Sequence, residues 1–488
     1  MSLPPKELPD YQHWLKHKDT YGPISSVLVM DRTLILIHDR EVAYDLLQKK
    51  SMKTSSRPQT EFGHKLCGFD KILVMQDYDD RYRCHRKMIH QHLGSRAAMA
   101  QYNDILEVEA RRFLLRVLKE PENLIKHVRA EAGAVILGVT YGYSIGANTA
   151  DPLVDFIERI VSNISASAVP MNWLVDIFPA MKYLPDGFPG TSFKETARQW
   201  SAITQRAADV PYSFVRQQIK RGNHRQSYVS RILEERKNNR DGITLGRDDE
   251  DAIKWTAATL YIAGSDTMVS SLSSFILAMV LFPDVQRRAQ DEIDCVVGSS
   301  RLPRLQDRDK LPYIKALVKE VFRWLPPGPM GIAHMSEEDS ISNGYLIPKG
   351  AILLPAIWWF CHNPEFHLNP SSFDPERYME PRNESDPATI VFRFGRRVCP
   401  GQYLAEYNLF ITIAQTLAAF NIGRAVDSQG VEIEAYLKVT PTLVAHPKEF
   451  PYRIEPRSFR HAELVRNIEV EEPCVQSDDS GLLSELWN

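Results

Sequence analysis

Two short apolar runs rich in β-branched residues, 25–30 and 33–38, flank Asp31-Arg32 and predict a hairpin. Beyond them the apolar spacing lengthens to three and four residues, which predicts helices over 41–49, 79–92, 99–118 and 122–141. Proline, glycine and aromatics crowd 178–189, a loop between two helices. The heavily charged stretch 234–251 predicts an exposed loop leading into a helix over 252–281. That helix has no proline and is apolar on nearly every side, the pattern of a helix through the interior of a large protein. Two more helices are predicted over 284–297 and 311–325. After Pro326-Pro327 come strand-like runs at 344–347 and 351–356, a loop-rich stretch to 390, and a last helix over 400–420. The fold class is mainly α with small β-sheets. With no internal repeat and no long Gly/Ser linker, residues 1–460 are expected to form a single large domain.

Composition narrows the class. The 488 residues are 43% hydrophobic and 25% charged, which excludes a disordered or collagenous chain. A net charge of −3 gives no global basic field, so nucleic acid is not an expected partner. Residues 461–488 hold seven acids against one base, Arg466, and are expected to be a disordered tail. The six cysteines lie far apart without a C-x-x-C pair, which argues against a disulfide framework or a zinc knuckle. No run reaches the ~18 apolar residues that span a bilayer, and the N-terminus has no apolar signal region. The expected location is intracellular, without a transmembrane anchor.

The chemistry is densest at Phe392-Arg-Phe-Gly-Arg-Arg-Val-Cys-Pro-Gly401. A lone cysteine is ordinarily a small hydrophobe. Cys399, however, directly precedes a predicted helix, with Pro400 suited to its first position, and a helix N-terminus favours thiolate over thiol. Gly395 and Gly401 allow backbone to approach the sulfur closely, Phe392 offers an apolar wall, and Arg397 a fork for a carboxylate. Those features suit an axial haem site, iron on the sulfur and a propionate on the arginine. F-x-x-G-x-R-x-C-x-G resembles the cysteine-loop signature of the cytochrome P-450 superfamily, and every fixed position matches.

Two further motifs carry the resemblance. Glu320 and Arg323, three apart on a helix, would by themselves be an ordinary surface ion pair. Their apolar surroundings and the downstream Pro375-Glu-Arg377-Tyr change that reading, because in the resembled family such a pair and arginine form a buried triad that locks the cysteine loop. Here Tyr378 stands where phenylalanine is commoner. Ala263-Gly-Ser-Asp266-Thr267 lies inside the long apolar helix, where a buried aspartate is costly without partners. A threonine hydroxyl there can bond the carbonyl four residues back and open the helix. The segment resembles the family's A-G-x-D-T motif, which implies that Thr267 hydrogen-bonds dioxygen and Asp266 helps deliver protons.

Weaker matches complete the picture. Arg86 fits the arginine of the family's W-x-x-x-R propionate contact, while Tyr82 replaces the tryptophan. The bases Arg81, Arg83, Arg86 and Lys87 fit a solvated helix face or, with Arg396, a surface that docks an acidic reductase. His334 occupies the place of another propionate contact and is equally compatible with a satisfied polar histidine. Strings such as Val175-Asp-Ile-Phe-Pro and Gly344-Tyr-Leu-Ile-Pro-Lys-Gly are similar to fungal P-450 members of secondary metabolism, such as the O-methylsterigmatocystin oxidoreductase-like group.

The resemblance implies haem b, dioxygen as co-substrate, and electrons from NADPH through a cytochrome P-450 reductase. It also implies a small lipophilic substrate (terpenoid, polyketide or alkaloid) in a pocket drawn from 62–73, the 178 loop, 261–267, 330–333 and 441–445. Those relatives begin with an apolar anchor that residues 1–10 lack, so the expected place is the cytosol or the cytosolic face of the endoplasmic reticulum, with peripheral membrane contact through the 178–188 loop. Two alternatives remain: a haem-thiolate isomerase or dehydratase needing no external electrons, and a non-catalytic haem binder.

Overall fold

Ile24, Val27, Ile35 and Ile37 cannot all be covered by one hairpin, and the chain solves this by pairing the hairpin with a strand from far downstream. In the computed structural model β1 (Ile24–Val29) and β2 (Arg32–Ile37) are antiparallel, with Ile24 opposite Ile37. Asp31 turns the corner at φ +60, a left-handed conformation that aspartate tolerates better than most residues. Met30 lies outside the described residues, which are 4–5, 7–29, 31–146, 151–169, 171–239, 246–392, 394–472 and 477–482.

The principal helices, numbered in chain order, are α1 (Asp10–Tyr21), α2 (Asp80–Leu93), α3 (Asn103–Lys119), α4 (Leu124–Tyr141), α5 (Pro152–Ala168), α6 (Phe193–Arg221), α7 (Tyr228–Asn239), α8 (Arg247–Leu281), α9 (Pro283–Val296), α10 (Pro312–Trp324), α11 (Gln402–Ala419) and α12 (Phe459–Arg466). The later strands are β3 (His334–Met335), β4 (Ser340–Ser342), β5 (Tyr345–Ile347), β6 (Ile352–Pro355), β7 (Phe420–Gly423) and β8 (Arg453–Pro456).

The chain divides into two units, each assembled from separated segments. The first comprises Met1–Ser55, Asn103–Glu131 and Thr267–Cys474, the second Ser56–Tyr102, Ala132–Asp266 and Val475–Asn488. In the first, one sheet runs in the order β1-β2-β6-β3, with β2 and β6 parallel and Leu34 beside Ile352. Its core gathers Ile35, Ile37, Leu47, Leu353 and Phe360, all nearly removed from water. Two-stranded ribbons β4-β5 and β7-β8 complete the strands described. The second unit is helical, built on α2, α5, α6 and α7.

Several boundaries differ from the sequence expectation for identifiable reasons. α8 begins at Arg247 rather than 252, so Asp248, Asp249 and Glu250 form its first turn, where the helix dipole favours negative charge. The expected 234–251 loop therefore shrinks: α7 occupies part of it, and 240–245 lie outside the described residues. α11 begins at Gln402, with Gly401 capping it and Pro400 in the preceding turn, not at the first helical position. The acidic stretch expected as a disordered tail is helical in part. In α12 and the turn Ile468–Glu471, Ala462, Val465 and Ile468 are buried, while Glu469 and Glu472 pair with Lys119 and Arg111 of α3. α8 is long and apolar enough to cross a membrane, but 78% of its apolar window is buried inside the structure, as a core helix is.

Buried imidazoles set the acid limit of this fold. Burial pushes His38, His64 and His85 down to about 4 and His362 to about 3. Folded values below the free value near 6.5 mean that the neutral forms stabilise the fold fully above that pH. The stabilisation is lost as pH falls from about 6.5 towards 4, by up to about 1.4 kcal/mol per pH unit for each histidine. Thermal unfolding should show a lower midpoint at pH about 5 than at about 7, and His38→Asn should reduce that difference.

Candidate active site: a cysteine loop framed by buried charge

The loop before α11 is shaped by close approach. Gly395 sits at φ +50, and a Cβ there would lie 2.3 Å from the Leu47 carbonyl oxygen and 2.5 Å from Ser51 Cβ. No other residue fits without moving backbone. The Gly395 N–H donates to Gln48 Oε1 at 2.6 Å, and the Cys399 N–H to the Phe392 carbonyl at 2.7 Å. The turn therefore closes on itself with the thiol three residues ahead of α11. Cys399 is half-buried. Burial pushes the thiols of Cys67 and Cys361 up to about 12, whereas Cys84 and Cys295 stand exposed on helices. Among the described cysteines, Cys399 alone is a partly accessible sulfur in a tight pre-helix loop.

Two candidate anion contacts meet on one short segment. Arg397 donates from Nε to the Ser55 carbonyl at 2.7 Å, and His334 Nδ1 lies 2.8 Å from the Thr54 carbonyl, so that nitrogen carries the proton. Thr54 is itself held by its hydroxyl on the Leu46 carbonyl at 2.7 Å. Residues 46–55 thus frame the cysteine loop and both of these side chains, a role that nothing in their composition announced.

Behind the loop lies a fully buried charge cluster. Glu320, Arg323 and Arg377 are each 0% exposed, which decides between surface pair and buried triad. Arg323 grips Glu320 through two bonds of 2.7 Å, and Arg377 Nε reaches Glu320 Oε1 at 3.2 Å. The remaining donors go to backbone. Leu368 and Asn369 accept from Arg377, Pro370 from Arg323, Ser371 from the Trp324 indole, and Ser372 from both arginines. Five consecutive carbonyls of a strand-free segment are thereby satisfied by side chains. Tyr378 donates its hydroxyl to Glu320 Oε2 at 3.2 Å, a bond phenylalanine lacks. A second carboxylate absent from the motif, Glu384, lies 3.5 Å from Arg377 and accepts from His367 at 2.8 Å. The cluster touches the loop through Phe322, whose ring meets Phe392 edge-on at 4.9 Å.

The structure locates the other predicted residues as follows. α8 is buried over most of 255–280, yet Ala263 is exposed and Gly264, Asp266 and Thr267 are half-buried. One face of the helix is accessible at the motif. Hydroxyls along α8 bond carbonyls four residues back, Thr259 to Trp255 at 2.8 Å and Ser271 to Thr267 at 3.1 Å among them. Arg86, on α2 in the second unit, is half-buried, Tyr82 is buried, and Arg81, Arg83 and Lys87 are exposed. Cys399, Arg397, Phe392, Gly395, Gly401, His334, Thr267 and the buried triad belong to the first unit; Arg86, Ala263 and Asp266 belong to the second.

A family model described as Cytochrome P450 matches residues 6–449. The chain belongs to the cytochrome P450 family. It is 48% identical to the multifunctional cytochrome P450 monooxygenase af510 of Aspergillus fumigatus, over 96% of this chain and 88% of that one. It is also 48% identical to the cytochrome P450 monooxygenase CLM2 of Gibberella zeae (99% and 92%), and 38% identical to the O-methylsterigmatocystin oxidoreductase of Aspergillus flavus (98% and 89%). A solved zebra fish cytochrome P450 with progesterone superposes with a TM-score of 0.74 over 92% of this chain and all of that one, at 22% identity, which shows the shared fold. The activity class is that of a P450 monooxygenase, and the family implies haem and dioxygen.

The residues present fit that group. Cys399 supplies the soft, accessible sulfur, Gly395 a backbone cradle that a side chain would fill, and Arg397 and His334 donor side chains fixed on neighbouring carbonyls. The cluster behind the loop makes a graded prediction. Glu320→Gln should strand two buried guanidinium groups and cost about 3–5 kcal/mol, whereas Tyr378→Phe removes one bond to a charged group and should cost about 1.5–3 kcal/mol. Urea unfolding of the three proteins should rank them in that order.

Proposed function

We propose that this protein is a haem-thiolate monooxygenase that draws electrons from NADPH through a cytochrome P450 reductase and oxidises a small lipophilic substrate of fungal secondary metabolism, a terpenoid, polyketide or alkaloid. The observation that carries this reading is the accessible Cys399 loop together with an intact Asp266-Thr267 pair on the opened face of an otherwise buried helix. Bound haem supplies the redox chemistry that splits dioxygen, with the thiolate ligand favouring O–O cleavage.

The chain's own residues do the rest. Cys399 would hold the iron through its sulfur, and Arg397, His334 and Arg86 would bind the carboxylates of the porphyrin edge. The Thr267 hydroxyl holds a proton where oxygen reacts, and the Asp266 carboxyl, half-exposed, exchanges protons with solvent. Exposed Arg81, Arg83, Lys87 and Arg396 offer positive charge to an acidic reductase. The exposed side chains of Leu174, Phe178, Tyr183 and Phe188 support peripheral contact with the endoplasmic reticulum surface.

The test is substrate-binding difference spectroscopy and NADPH-coupled turnover across a panel of fungal metabolites, in wild type, Cys399→Ser and Thr267→Ala. Cys399→Ser should lose the red-shifted ferrous-carbonyl absorption of sulfur ligation. Thr267→Ala should keep consuming NADPH while product per NADPH falls by about tenfold or more. Turnover without NADPH or reductase would instead establish an isomerase or dehydratase. Unchanged coupling in Thr267→Ala would remove the proton-delivery role.

A further inference from the structure

Glu131 on α4 is a fully buried carboxyl group with no part in the chemistry above. Its Oε1 accepts from the Thr412 hydroxyl at 3.0 Å, and Asn408 lies near enough to favour its charged form. Residues 408 and 412 lie four apart on one face of α11, the helix that follows Cys399. Asn408 in turn donates from Nδ2 to Met268 Sδ at 3.4 Å, and Met268 is the neighbour of Thr267 on α8. All these residues belong to the first unit. Glu131 Oε2 and Asn408 Oδ1 are each buried without a hydrogen-bond partner.

We propose that Glu131 is a positioning residue whose carboxyl group fixes α11 behind the cysteine loop and, through Asn408 and Met268, the turn of α8 that carries Thr267. The surroundings favour its neutral form. Burial pushes the carboxyl group up to about 7, against the opposing pull of Thr412, Asn408 and Arg116. α3 presents Arg116 and Glu109, the latter paired with Arg112 at 2.6 Å, while Asn408 and Thr412 of α11 do not titrate.

The sign follows from a folded value above the unfolded one near 4.5. Stabilisation from the neutral acid is complete below about 4.5, is lost by up to about tenfold in the folding equilibrium per pH unit as pH rises, and levels off above about 7.

The experiment uses the full-length holoprotein as wild type, Glu131→Gln and Thr412→Val, from about pH 5 to about pH 8.5. Thermal midpoint and the sulfur-ligated fraction of the ferrous-carbonyl adduct are the two readouts. The glutamine variant cannot ionise, so the wild-type midpoint measured against it should fall between about pH 5 and 7 and then stay level. Thr412→Val removes a bond that favours the carboxylate, so its levelling point should move to higher pH than in wild type. At pH about 8.5 the sulfur-ligated fraction should be smaller in wild type than in Glu131→Gln, a difference that a merely structural role would not produce. Parallel midpoint profiles for wild type and Glu131→Gln, or equal sulfur-ligated fractions at high pH, would overturn the proposal. Should Glu131→Gln fail to fold, the shift of the levelling point in Thr412→Val decides alone, and an unmoved point overturns it.

Discussion

Everything around the cysteine depends on one carboxylate removed from water. Glu320 accepts from Arg323, Arg377, the Tyr378 hydroxyl and the Asp374 N–H, so its lone pairs are filled and its charge is met twice. A buried ion pair of this kind yields little net stability, because desolvation offsets attraction. What it provides is uniqueness. A segment without strands has no hydrogen-bond ladder of its own, and the carbonyls of 368–372 would otherwise demand water. The arginine forks replace the ladder, and they reach those carbonyls only when Glu320 holds both of them in register. The cost of misplacing any one member is therefore shared by the whole segment that precedes the cysteine loop.

The loop itself shows the complementary economy. Gly395 lets the backbone pass against Leu47 and Ser51 at distances that exclude a side chain. The segment it touches also anchors Arg397 and His334. One short stretch, 46–55, thus sets the loop's path and the places of Arg397 and His334 together. A change in that stretch would act on the thiol without touching it.

The motifs were legible because they are local: a glycine, an arginine and a cysteine at fixed spacing encode a turn, and Glu320 and Arg323 encode one helix face. What escaped the sequence is what closes over long separations. Glu384 beside Arg377, Ser55 beneath Arg397 and Gln48 against Gly395 belong to unremarkable strings, and only tertiary contact gives them work. Tyr378 is instructive, since a departure from the family pattern turned out to carry an extra donor aimed at the buried carboxylate. Helix ends were misjudged where capping chemistry competed with pattern. The acidic run before 252 extends α8 because it complements the dipole, and Gly401 rather than Pro400 sets the start of α11. The acidic stretch after 461 misled through composition, because its few apolar residues, Ala462, Val465 and Ile468, are the ones that fold it.

Burial separates the groups that hold from the groups that react. Glu320, Arg323, Arg377 and Glu131 are wholly enclosed, so their geometry is set once at folding. Cys399, Arg397, Asp266, Thr267 and Arg86 are only half-enclosed. A group that must bind a cofactor or exchange protons cannot complete its own valences against the protein without losing that capacity. It can stay both accessible and fixed only if the elements beneath it are immobile. The sealed carboxylates are on this account the condition for the exposed chemistry, and a protein that relaxed them would loosen its thiol before it lost its fold.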